Sequence, residues 1–177
     1  SAAVLVDPIK HYFFGPKLII EFDREEVSGC VTETRIVETS AQYVKVRIKN
    51  AGGQIAKQCM AYLTRVEKWN GSKRKYEPTA YWDSPQLGWS GRGIQDGKDR
   101  RFDAISLPKD ILQFVDLIST RDNIDQFTIE REYSLNRHSG LCKEKGKYRF
   151  TVTVSGDNVK PVTERIIFEW KGVWNDF

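Results

Sequence analysis

Between Tyr43 and Lys49 the chain alternates strictly, with Val44, Val46 and Ile48 set against Tyr43, Lys45, Arg47 and Lys49. A strand sends successive side chains to opposite faces, so this pattern specifies a strand with one buried and one wet face. A helix would scatter the same residues around its circumference. The alternation recurs. Met60, Tyr62, Thr64 and Val66 alternate with Ala61, Leu63 and Arg65, and Tyr148, Phe150, Val152 and Val154 alternate with Arg149, Thr151 and Thr153. Ile166, Phe168 and Trp170 share one face of a last strand. Leu18–Phe22, Val31–Val37 and Phe127–Tyr133 are further strand candidates. Across 108–120, Ile111, Phe114, Val115 and Ile118 fit a helical face and Pro108 suits a helix start, but the β-branched content favours a strand.

Turn chemistry separates these segments. Asn50-Ala51-Gly52-Gly53 and Ser155-Gly156-Asp157-Asn158 supply residues that tolerate positive φ. Many half-buried strands joined by such turns predict an all-β antiparallel β-sandwich. At 177 residues the chain exceeds a minimal sandwich, so long loop insertions are expected. Residues 70–100 fit that role, because their glycines and prolines accompany Tyr76, Tyr81, Trp82 and Trp89, which a linker would not carry. One sandwich domain is assigned to 17–177, and 1–16 is read as a juxtamembrane or appended lead-in. Tyr148 is expected to bury its ring and to reach backbone with its hydroxyl. Val44, Val46, Ile48, Phe150, Val152, Ile166 and Phe168 are expected in the core, and Trp89 on an exposed loop.

Composition narrows the function. Hydrophobic residues make up 40% and charged residues 29%, which is too apolar for disorder. The net charge of +4 is a mild excess, so nucleic acid is a disfavoured partner. No run approaches the ~20 apolar residues of a membrane-spanning helix. Ile9–Lys17 mixes Tyr12, Phe13 and Phe14 with Lys10 and Lys17, a composition that suits a membrane–water interface.

Histidine occurs only at 11 and 138. His138-Ser139-Gly140-Leu141-Cys142 places imidazole, hydroxyl and thiol close in sequence, but nucleophile and base normally meet across a fold, and a metal would need further ligands. Asp23-Arg24-Glu25-Glu26, Asp96–Asp99 and Asp122–Asp125 lack calcium-loop spacing and read as solvated turns. Gly88-Trp89-Ser90-Gly91-Arg92-Gly93 lacks the Lys-Ser/Thr ending of a phosphate loop. Cys30, Cys59 and Cys142 have no paired spacing, which favours buried reduced thiols over a disulfide. No catalytic residue, metal ligand or cofactor is expected. The candidate ligand-binding residues are Trp69, Lys73, Arg74, Tyr76, Tyr81, Trp82, Trp89 and Arg92, because loop-borne rings and cations supply contact area and charge.

Two strands and both ends carry a resemblance. Val44–Ala56, with its Asn-x-Gly turn, resembles bacterial immunoglobulin-like domains of the cell-adhesion-related type, and Gly146–Val152 resembles their Gly-x-Tyr strand. The order Phe14-Gly15-Pro16-Lys17, Tyr62–Glu67 and Trp170–Trp174 is similar to an uncharacterised prokaryotic family of such sandwiches. The resemblance implies an immunoglobulin-like fold that follows membrane-spanning helices, and it carries over no functional residues. The expected role is therefore a non-catalytic binding, interaction or sensor domain. It would be tethered to a membrane by segments absent from this chain, on the cytoplasmic side or else the extracytoplasmic one. The alternatives are a carbohydrate-binding module of an extracytoplasmic enzyme and a nucleotide or oligonucleotide recognition domain. Ligand identity and oligomeric state are left open.

Overall fold

The computed structural model describes residues 15–24, 29–36, 39–81, 83–131 and 139–173. They form an all-β antiparallel sandwich. In chain order the elements are β1 (Leu18–Glu21), β2 (Val31–Ile36), β3 (Thr39–Asn50), β4 (Ala56–Asn70), β5 (Lys75–Pro78), β6 (Gln86–Leu87), β7 (Ile94–Gln95), β8 (Lys98–Asp99), β9 (Ile105–Leu107), β10 (Leu112–Arg121), β11 (Ile124–Ile129), α1 (Ser139–Lys143), β12 (Gly146–Gly156) and β13 (Val159–Trp170). The ambiguous 108–120 segment is largely strand, as its β-branched content indicates.

One sheet runs β1-β3-β10-β11, with β2 also on β3. The other runs β13-β12-β4-β5, with β6 and β9 also on β4. Their inner faces meet in one core. Val44, Val46 and Ile48 of β3 face Tyr148, Phe150, Val152, Ile166 and Phe168, and every one is buried as the alternation predicts. Phe127 is the central ring, edge-on to Tyr148, Phe150, Phe168 and Trp170 at centroid distances of 5.4–6.2 Å. Edge-to-face packing places ring hydrogens against π-faces and adds to the area term.

Two departures from simple alternation shape the core. Over 60–66 of β4, Ala61, Leu63 and Val66 are buried whereas Met60, Tyr62 and Thr64 are not, so the inward parity changes within the strand. The pairing with β12 slips between Thr151↔Arg65 and Val152↔Leu63, so Thr64 is an extra, bulged residue. A bulge resets which parity faces inward. In β10 a similar slip between Asp116 and Ile118 leaves Leu117 as the extra residue.

The second departure corrects the expectation that Trp89, within Gly88–Gly93, sits on an exposed loop. Gln86–Leu87 pairs with Ala61 and Tyr62 of one sheet. Trp89 bridges Val115 of the other, where Asp116 N–H donates to Gly88 O and Ser90 N–H to Phe114 O. The segment is a strap that joins the two sheets along one side. Its backbone is extended, so Leu87 and Trp89 point inward, while a Cβ at Gly88 would meet Arg101 and Phe102. Trp89 is a fully buried core residue.

Candidate ligand-binding site

The β4–β5 hairpin carries the exposed chemistry. Its register pairs Trp69 with Tyr76 and Lys68 with Glu77, and it turns through residues 71–74 with Arg74 at φ 51°. Because side chains alternate, the hairpin has two chemically different faces.

On the outer face Glu67, Trp69 and Tyr76 lie together with Arg149 of β12. The Trp69 and Tyr76 rings sit 5.1 Å apart at 66°. The Arg149 guanidinium lies 4.4 Å from the centre of Tyr76 and donates through Nε to Glu67 Oε2 at 2.7 Å. Arg65 approaches Glu67 at 3.9 Å. Glu67 is buried, yet its bond from Arg149 outweighs burial and holds its carboxyl below the usual range. Trp69 remains 40% exposed.

The opposite face lines a cleft of about 630 Å³ between the hairpin and α1, bordered by Lys68, Asn70, Glu77, Thr79, Leu141 and Glu144. Lys68 Nζ reaches Glu144 Oε2 at 2.5 Å and lies 5.6 Å over the Tyr148 ring. Asn70 Nδ2 donates to Glu77 at 2.8 Å, and Lys73 and Lys75 reach the same carboxylate at 2.9 and 3.7 Å. The Lys73 and Asn70 bonds push the Glu77 carboxyl down. Tyr148 fixes the cleft wall as predicted: its hydroxyl lies 2.6 Å from Glu144 O and 3.1 Å from Leu141 O, tying α1 to the sandwich corner. The cleft offers cations and carboxylates side by side, which suits a polar ligand that itself carries both donors and acceptors.

The structure gathers Trp69, Lys73, Arg74 and Tyr76 on this hairpin. It removes Tyr81 and Trp89 from the surface, since both are buried in the core. Arg92 is exposed on the separate segment leading to β7, and Trp82 lies outside the described residues. Sequence reasoning missed Glu67, Glu144 and Arg149, which complete both faces. The β4–β12 register brings Arg149 opposite Glu67 across 82 residues of chain, and no local signal encodes that.

A second polar cluster covers the outside of the β3–β10 sheet. Lys45 lies over the Tyr43 ring at 5.8 Å, Ser119 Oγ pairs with Glu130 at 2.5 Å, and Arg101 approaches Glu130 at 3.9 Å while holding Asp99. Burial pushes the Asp116 carboxyl up, against its bond from Ser90. Arg101 and Ser90 belong to the strap and the residues after it, so the cluster fastens that crossing to the sheet.

His138 lies outside the described residues. Cys142 is buried, and burial pushes its thiol up to about 11, which suppresses the thiolate a nucleophile needs. Among the described residues no three His, Cys, Asp or Glu side chains converge as a metal site, and no helix is long and apolar enough to cross a membrane. No protein-family profile matches the chain, and no curated protein matches it at a significant level.

Proposed function

We propose that this domain is a non-catalytic binding module whose contact surface is the β4–β5 hairpin, and that it is tethered to a membrane through segments outside this chain. One observation carries the binding reading. Among the described tryptophans, Trp89 and Trp170 are buried, whereas Trp69 is held exposed by Tyr76, beside a polar cleft. An ordered, exposed ring at the rim of a cleft supplies contact area at low entropic cost. The immunoglobulin-like resemblance adds to the same reading. Capture of partners from a lysate by the wild-type chain and by Trp69→Ala and Arg74→Glu variants tests it. A partner lost by both variants, with melting unchanged, supports the hairpin; equal capture by all three rejects it. For the tether, recovery of the parent protein in the soluble fraction after lysis rejects that part.

Nucleic-acid recognition is a second reading, favoured by the exposed Trp69 ring, with Arg149 over its neighbour Tyr76 and Arg74 exposed in the turn of the same hairpin. Bases stack on rings while cations meet phosphates. Titration of tryptophan fluorescence in wild type and Trp69→Ala with a single-stranded oligonucleotide at low salt decides, because such attraction is strongest there. No quenching at low salt rejects it. The carbohydrate reading loses support, since Trp69 and Tyr76 stand at 66° rather than coplanar and Trp89 is buried.

A further inference from the structure

The end of the sandwich at which Gly15–Lys17 joins β1 has an unusual surface. Three loops meet there, and Asn50 binds them together. Its carbonyl accepts from Lys17 N–H and Gly52 N–H, both at 3.0 Å, and its amide donates to Gln54 O at 2.6 Å and Leu107 O at 2.8 Å. Asp110 N–H donates to Asn50 O. The β12–β13 turn adds to the same end, because Asn158 bonds both Ile55 O and Lys57 N–H. From this end project Ile55, Ile111 and Leu112, which are 49%, 47% and 45% exposed. Single exposed aliphatics are ordinary, but three on adjoining loops of one end are not scattered.

The charge around them is predominantly positive. Lys17 and Lys109 on these loops, and Lys57 and Lys160 at the strand ends beside them, are exposed. Lys49 is paired with Asp110 at 3.3 Å. With Asp157 included, the end holds five lysines against two aspartates. Apolar tips surrounded by lysines match the layering of an anionic bilayer, in which acyl chains lie beneath negative headgroups. The sequence joined to this end at Gly15 carries Tyr12, Phe13, Phe14 and Lys10, residue types that favour the same interface.

We infer that this end of the sandwich is a membrane-contact surface, with Ile55, Ile111 and Leu112 entering the headgroup region and Lys17, Lys57, Lys109 and Lys160 meeting anionic lipid. The hairpin site involves none of these residues, so the domain would bind its partner while seated on the bilayer. The inference shares with the proposed function only the presence of a membrane.

Co-sedimentation of the chain with vesicles tests it. Vesicles of equimolar phosphatidylcholine and phosphatidylglycerol should pellet the protein, vesicles of phosphatidylcholine alone should not, and added salt should weaken the binding. An Ile111→Glu/Leu112→Glu variant should lose binding. Lys57→Glu, Lys109→Glu and Lys160→Glu should each weaken it about fivefold or more, as expected for charges near such a surface. Ile94 is 77% exposed on β7 and is not among these loops, so Ile94→Glu should bind like wild type. All these positions are exposed, and melting curves confirm folding. No pelleting with anionic vesicles, undiminished pelleting of the end variants, or loss of binding in Ile94→Glu alone overturns the inference. Self-association without vesicles that the Ile111→Glu/Leu112→Glu change abolishes would assign the surface to a second copy instead, and also overturns it. Trp69→Ala should leave vesicle binding intact, which separates failure here from failure of the hairpin reading.

Discussion

The side-chain amide of Asn50 donates to Leu107 O at 2.8 Å across 57 residues of chain, inside a site from which water is excluded. The same side chain satisfies Lys17 N–H, Gly52 N–H and Gln54 O, so all of its hydrogen-bonding capacity is used within the fold. Replacement by Leu would leave buried donors and acceptors without partners. Asn50→Leu is expected to cost about 3 kcal/mol or more. Asn50→Asp should also destabilise, because a carboxylate cannot donate to Gln54 O and Leu107 O. Urea melts of the two variants check this, and a loss near zero for both would mean the clasp adds nothing.

Trp89 and Phe150 should behave alike. Both are fully buried in one core cluster, one on the strap and one on β12. Truncation of either to Ala is expected to cost roughly 3–5 kcal/mol. A loop-borne contact residue would lose far less. Denaturant midpoints with unchanged slopes would give the comparison directly.

Acid sensitivity should trace in part to the Glu67–Arg149 pair. The bond from Arg149 lowers the Glu67 value below its ordinary 4.5, so folding favours the ionised form. The stabilisation is fully present above the unfolded value and is lost as pH falls through the lower folded value. Wild type should therefore lose stability on acidification below about 4.5, while Glu67→Gln shows a flatter acid limb. Chemical melts across that range measure it. Identical limbs for both proteins would show that the pair does not set the acid response.

The three cysteines should be silent in the native state. Cys30, Cys59 and Cys142 are buried and form no disulfide, and burial raises the Cys59 and Cys142 thiols to about 11. A chromogenic thiol reagent at mildly alkaline pH should react slowly with folded protein and release three equivalents once urea is added. Fewer equivalents in urea would reveal a disulfide.

The alternations at 43–49, 148–154 and 166–170 foretold which residues reach the core, and the Tyr148 hydroxyl bond was legible from the Gly-x-Tyr pattern. The Asn50-Ala51-Gly52-Gly53 turn was legible too, but for a different reason at Gly52. That residue does not take positive φ; a Cβ there would lie 2.1 Å from Gly15 O, so close approach of the lead-in demands glycine. The candidate site was half legible. Trp69, Lys73, Arg74 and Tyr76 lie within one short hairpin, so local sequence was enough to group them. Arg149, which packs on Tyr76, and Glu144, which pairs with the neighbouring Lys68, come from distant parts of the chain.

The sequence by itself determined the strands, their inward faces and the broad sandwich class, because period-two hydrophobicity is a local property that burial then enforces. Only the tertiary structure decided which parity turns inward after Thr64, that Trp89 closes the core, and that Glu67 meets Arg149. Those outcomes depend on bulges and on pairings between distant strands. A bulge costs one unpaired residue and leaves little trace in composition, while a glycine-flanked tryptophan looks the same in a loop as in a strap. The strap is set by its pairing with Ala61 and Tyr62 of one sheet and with Val115 of the other, partners far from it in sequence.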